Sequence, residues 1–240
     1  MSQDRVDPEM RAARARMDAE AATQPPVTLA EPIGVSRAVS ERLAMSYCVG
    51  GPVMAETIEH WLFVRGRRLL CRVHKPRTDA PLPVFVWLHG GGFVFQSIDS
   101  HDRLVREFAV AGDVATVSVD YSLAPESRFP MALLECSDVV RALAATDWGL
   151  DTTRIAVGGD SSGGNLALAT AIYLRDVGGP KLCGVLVPYP VTSADFTSPS
   201  YTAFAIGFGL TRARMQAYWG LYIRDEADRL NPLAAPLLAE

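Results

Sequence analysis

The stretch Arg154-Ile-Ala-Val-Gly-Gly-Asp-Ser-Ser-Gly-Gly-Asn165 decides the fold. Ile155, Ala156 and Val157 read as the end of a short buried strand. Leu166 to Leu174 reads as a helix that is apolar nearly all round. Between them, Gly159-Asp160-Ser161-Ser162-Gly163 fits G-x-S-x-G, the pattern of a sharp strand-to-helix turn that presents a serine nucleophile. Crowding accounts for the glycines. A serine held in a strained backbone conformation at the top of a sheet leaves no room for side chains two residues before and two after it. The frame selects Ser161, because the position two before Ser162 is Asp160 rather than glycine.

Working outward, Val84-Phe85-Val86-Trp87-Leu88 is a continuous apolar run without alternation, as expected for a strand buried on both faces of a parallel sheet. Val114 to Val119 and Cys183 to Val187 repeat the pattern, and Asp102 to Ala111 and Met131 to Ala145 read as helices between strands. Alternation of this kind predicts an α/β fold with a mostly parallel, doubly wound sheet and ligands at the carboxyl ends of its strands. Ahead of it, Thr57 to Val64 and Arg68 to Val73 flank an Arg65-Gly66-Arg67 turn, as in an antiparallel hairpin. His60 and His74 fall in these edge-like strands and are expected at the surface. The leading segment is helical: Asp7-Pro8-Glu9 reads as an N-cap, with Met10, Ala13 and Met17 at helical spacing forming a packing stripe. A second helix runs from about Val35 to Met45, and Gly50-Gly51-Pro52 closes the segment. The division expected is a helical cap over 1–52 and an α/β domain over 53–240. Ser193 to Gly209, with Phe196, Tyr201, Phe204 and Phe208, reads as an aromatic-lined flap or an ordinary packed loop.

At 240 residues and 49% hydrophobic content the chain can bury one sizeable core. Lys and Arg number 23 against 27 Asp and Glu, so no net field points to nucleic acid or an anionic membrane. Cys48, Cys71, Cys136 and Cys183 are scattered, with no metal-ligand spacing, and read as free thiols of a reducing compartment. The N-terminus carries Asp4, Arg5, Asp7 and Glu9 rather than a signal peptide, and no apolar run approaches a membrane span. A soluble, cytoplasmic protein is expected. No metal or organic cofactor is implied.

The buried run ending at Leu88 leads straight into His89-Gly90-Gly91-Gly92-Phe93. Three glycines directly after a strand leave backbone N–H groups open to close approach by a ligand. Acyl transfer needs such donors for its oxyanion, each worth on the order of 3 kcal/mol. An H-G-G-G run in this position is the oxyanion motif of lipases and esterases.

With these motifs, and with Asp120-Tyr121-Ser122-Leu123-Ala124-Pro125-Glu126 and Phe129-Pro130, the chain resembles the hormone-sensitive-lipase-like carboxylesterases of the α/β-hydrolase fold, the "fold-3" type. The resemblance covers nearly the whole chain. It implies Ser161 as nucleophile, with Gly91, Gly92 and the N–H of Ser162 as oxyanion hole. Phe93, Tyr189 and Tyr201 are expected to line the substrate pocket. It also implies a small-molecule ester substrate, Asp120 to Glu126 as a brace beneath the site without a catalytic role for Glu126, and His89 ordering the glycine loop. A homo-oligomer is left open.

Three positions depart from the family pattern: Ser122 in place of arginine, Gln96 in place of glycine, and Cys136 in place of aspartate. A further departure concerns the triad, whose order in this fold is Ser, Asp or Glu, then His. All four histidines, His60, His74, His89 and His101, precede Ser161. The stretch Asn231 to Leu238 resembles the family segment just before the strand that supplies the acid, so the triad Asp and His are expected beyond residue 240, in strands and helices missing here. Two readings follow: a serine ester hydrolase, and a non-catalytic small-molecule-binding module on the same fold.

Overall fold

A computed structural model describes residues 6–30 and 32–240; Asp4 and Arg5 of the charged N-terminus lie outside the described residues. Asp7 caps the first helix, α1 (Pro8–Ala21), by accepting from Glu9 N at 2.8 Å, and Pro8 takes the first helical position. The Met stripe does not pack as expected. No residue of α1 is buried, and Met10 and Met17 are 62% and 50% exposed. The helix α2 (Ile33–Met45) follows and buries Ile33, Ser36 and Val39.

The strands β1 (Glu56–Val64) and β2 (Arg67–Lys75) form the expected hairpin. Val64 pairs with Arg67, and both linking residues are left-handed, Arg65 at φ 50° and Gly66 at φ 79°, which is the turn whose twist matches the strands. Then come β3 (Leu82–Leu88), α3 (Asp102–Gly112), β4 (Ala115–Val119), α4 (Met131–Ala142), β5 (Leu150–Gly159), α5 (Ser161–Val177) and β6 (Leu182–Leu186). The chain closes with the short α6 (Pro199–Ala203), inside the stretch read as a flap, and with α7 (Arg212–Tyr222).

One sheet holds all six strands in the order β1-β2-β4-β3-β5-β6, parallel from β4 to β6 and antiparallel at the β1–β2–β4 end. Strand alternation divides the core. Val84, Val86 and Leu88 join the main cluster with α4 and α5, whereas Phe85 and Trp87 face α3 and its Val105 and Phe108. Burial on both faces explains the unbroken apolar run of β3, while β4 alternates and buries Thr116 and Ser118 along with its apolar residues.

His74 corrects the surface expectation. β2 is not an edge strand but lies between β1 and β4, and His74 is 1% exposed. Its Nδ1 lies 2.9 Å from Thr57 Oγ1 and its Nε2 3.1 Å from Asp102, whose carboxyl this contact, helped by Arg106, holds well below the usual range. His60 stacks on Trp148 at 4.2 Å.

Candidate active site

The serine turn forms where β5 passes into α5, at the carboxyl end of the sheet. Ser161 sits at φ 52°, a left-handed conformation that a non-glycine residue adopts under constraint. The crowding argument holds in detail. A Cβ at Gly159 would stand 2.3 Å from Leu88 O, and one at Gly163 would stand 2.0 Å from the same oxygen. The turn is tied to the neighbouring loop by Ser161 N donating to Pro188 O at 3.3 Å and Val191 N donating to Ser161 O at 3.0 Å. Ser162 is fully buried and its Oγ has no partner, so its part in any site falls to its backbone.

Across from this turn, at the end of β3, Gly90 to Phe95 coils tightly, with Phe95 N donating to Gly91 O at 3.0 Å. Gly91 stands at φ 125° and Gly92 at φ 65°. A Cβ on Gly91 would reach 2.1 Å from Phe95 O, and one on Gly92 would meet the Tyr218 ring at 2.7 Å. The N–H groups of Gly91 and Gly92 meet no acceptor among the described residues. Gln96, where the family carries glycine, takes φ 71°; its amide donates to Ser40 of α2 at 2.9 Å.

His89 is buried, its ring stacked on Tyr121 at 4.4 Å, with Nδ1 2.7 Å from Gly90 O. Burial, with His101 nearby, pushes its pKa down to about 3, so it stays neutral and orders the loop. Below, Ala124 N donates to Phe93 O at 2.8 Å, which joins the Asp120–Glu126 brace to the glycine loop. Ser122, where the family carries arginine, donates from N and Oγ to the fully buried Glu135 at 2.7 and 2.8 Å.

A cavity of about 990 Å³ opens over Gly90, Gly91, Asp160 and Ser161, and Met17, Glu20, Leu43 and Tyr47 of the N-terminal helical segment line its far side. Tyr189 lines it too, 75% exposed and at φ 39°. Phe93 and Tyr201 do not. Phe93 is 1% exposed and stacks face to face on Tyr222 at 3.8 Å, and Tyr201 packs edge-on against Phe196 at 5.4 Å. Gly92 and Ser162 also stand outside the lining. Among the lining residues to which the sequence reading gave no role are Arg214 and Asp160. Arg214 of α7 donates to Tyr218 Oη at 2.9 Å and lies 5.8 Å from the Phe95 ring centroid. Asp160 accepts from Gly90 N at 2.9 Å and pairs with His101 Nε2 at 3.2 Å. Burial raises the Asp160 carboxyl, but His101 and the Gly90 N–H outweigh it and hold the group below its ordinary value. Among the described residues no hydrogen bond joins Ser161 Oγ to a histidine, and no cluster of three or more His, Cys, Asp or Glu could hold a metal ion.

A parallel sheet with a strained serine at one strand end and a glycine loop at the next defines the α/β-hydrolase architecture. Residues 85–240 match the family described as alpha/beta hydrolase fold, and the chain belongs to it, in the hormone-sensitive-lipase-like branch. It is 42% identical over 144 residues to carboxylesterase NlhH of Mycobacterium tuberculosis. That match covers 59% of this chain and 45% of the relative, so the chain spans under half the length of the curated relatives it matches. An alpha/beta hydrolase enzyme from the metagenome of Lake Arreo superposes with a TM-score of 0.91 at 30% identity, covering 99% of this chain and 76% of that one. A thermostable esterase from Pseudomonas putida does so at 0.87 and 32%, covering 96% and 73%.

Proposed function

We propose that the protein is a serine carboxylic ester hydrolase acting on small or short-acyl esters through an acyl-enzyme on Ser161. The observation that carries this reading is Ser161 itself, a non-glycine residue at φ 52° wedged between two glycines that no side chain could replace. Ser161 and Gly91 line the same cavity, and the N–H groups of Gly91 and Gly92 meet no acceptor among the described residues. In this reading Ser161 attacks the ester carbonyl, the oxyanion is held by the N–H groups of Gly91, Gly92 and Ser162, and water releases the acid. The base is a histidine, oriented by an aspartate, from beyond residue 240. The placement of the four histidines supports that assignment, since His101 is engaged with Asp160 and the other three are held elsewhere. The helices within 1–52 act as the cap, and Tyr189 as a wall of the substrate pocket. The same histidine placement keeps the binding-module reading in play, with a small apolar ester or acid as ligand. Among the described residues no helix is long and apolar enough to cross a membrane.

The experiment is ester hydrolysis over a panel of graded acyl length, in protein that carries the histidine expected beyond residue 240, with Ser161→Ala and Ser162→Ala compared; residues 1–240 alone are expected to be close to inactive. Ser161→Ala is expected to lower kcat by about 10⁶, as in other serine hydrolases stripped of a triad member, and Ser162→Ala to retain most activity. Equal losses would overturn the frame. Binding of the esters without turnover would favour the module.

A further inference from the structure

We propose that His101 and Asp160 are a positioning pair that sets the oxyanion loop. His101 Nε2 holds the Asp160 carboxylate, and the carboxylate holds the Gly90 N–H and with it the backbone of the two following glycines. The inference rests on the ester-hydrolase reading above.

Asp160 is the N-cap residue of α5, with φ −97° and ψ 149°, a position where aspartate ordinarily turns its carboxylate onto its own helix. Here it makes no such bond. Oδ1 instead accepts from Gly90 N at 2.9 Å and stands 3.2 Å from His101 Nε2, and both side chains are only 13% exposed. Two consequences follow. Ser162 N, in the first turn of α5, is left without a side-chain acceptor from the N-cap, at the positive end of the helix dipole. The glycine loop, meanwhile, is packed directly on the carboxylate, since a Cβ at Gly90 would stand 2.2 Å from Asp160 Oδ2. A shift of the carboxylate therefore moves the loop.

The other groups facing Asp160 are His89 from the end of β3, Tyr121 from the loop after β4 and Tyr189 from the loop after β6. Burial keeps His89 neutral and raises both tyrosines, so none of the three brings a cation to the carboxylate. His101 is the side-chain donor that holds it. Its own orientation is fixed from behind, with Nδ1 3.3 Å from Ser97 O and 3.1 Å from Ser100 Oγ. Without His101 the buried carboxylate would keep only backbone donors, the N–H groups of Gly90 and of Asp160 itself, to stabilise its charge, and it would take up a proton at a higher pH than it does now. Asp160 in its ionised form is present above its pKa and lost as pH falls through it, so activity that depends on the pair fails on the acid side.

Two readouts test this. In steady-state ester hydrolysis, His101→Ala is expected to lower kcat by about 10², the scale of a misplaced catalytic group, with KM within about twofold of the parent. Its acid limb should lie at higher pH than the parent's. His101→Gln, whose amide can donate to Asp160, is expected to recover most of the loss. The second readout needs no turnover: the Gly90 amide resonance of a Ser161→Ala background is followed against pH, with and without His101→Ala. Its titration is expected to move to higher pH when His101 is removed and to return towards the parent's with His101→Gln. An unmoved Gly90 titration overturns the pairing whatever the activity. A protein that shifts its Gly90 titration but hydrolyses no ester upholds the pairing and overturns the ester-hydrolase reading instead. His101→Ala with parental kcat and acid limb, in a protein that does hydrolyse esters, overturns the role in catalysis.

Discussion

At Glu135 a carboxylate with no exposure accepts from Ser122 N and Oγ and stands 3.3 Å from Arg67 Nε, whose side chain is 40% exposed. Glu135→Ala would leave two donors and a cation without their acceptor beneath the glycine loop. The expected loss is about 3 kcal/mol, the low end for breaking a buried pair because Arg67 keeps access to water, read as a lower urea midpoint at unchanged m. The sequence marked this region as a brace but not its mechanism, since Glu135 and Ser122 meet across a loop and Arg67 arrives from another strand. Ser161 lay at the other extreme. The glycines that flank it announce the turn in the local pattern, although the oxygen that crowds both of them, Leu88 O, comes from the neighbouring strand β3. Phe93 was misread for a related reason: following the glycines places it beside the pocket in sequence, while its left-handed backbone, at φ 64°, turns the ring into the core against Tyr222.

Among elements, β3 was legible because burial on both faces removes polar alternation, whereas β4 keeps Thr116 and Ser118 buried between its apolar residues. α7 went unread although Met215, Tyr218, Trp219 and Tyr222 are its buried residues at helical spacing, a period masked by the aromatic and glycine content around it. How α2 docks could not be read at all. Arg37 does that work: Nε donates to Val94 O at 2.8 Å, one terminal nitrogen donates to Ala124 O at 2.7 Å, and the guanidinium forks onto Glu126 at 2.7 and 2.6 Å. It thereby ties the N-terminal helices to both the glycine loop and the brace. Glu126 is 59% exposed, so the ion pair itself contributes little and the two carbonyl contacts carry the docking. Arg37→Met is expected to cost about 1–2 kcal/mol, two modest hydrogen bonds, and to make the segment before residue 50 faster to cleave in limited proteolysis while the sheet stays intact. Equal cleavage rates would show that α2 is held without Arg37, by its buried Ile33 and Val39 and by contacts such as Gln96 to Ser40.

For the whole molecule, the sheet ends at β6, where Val185 and Leu186 are 41% and 49% exposed and Cys183 is exposed. Beside it, Phe85, Phe108, Ala156, Cys183 and Leu186 line an apolar groove of about 390 Å³. An unpaired apolar edge next to such a groove favours association. The 240-residue chain is therefore expected to elute above its 26.0 kDa mass, and Leu186→Lys to shift it towards the monomer. A monomer in both cases would show that the edge is tolerated in solution. The central claim is narrower than this, and concerns one oxygen atom. It is tested most directly by treating an ester-hydrolysing preparation of the protein with a serine-directed phosphonate and locating the adduct by peptide mass spectrometry. The account expects one adduct per chain, on Ser161, absent from Ser161→Ala and retained in Ser162→Ala. An adduct on Ser162 or on any other residue, or undiminished labelling of Ser161→Ala, would contradict it.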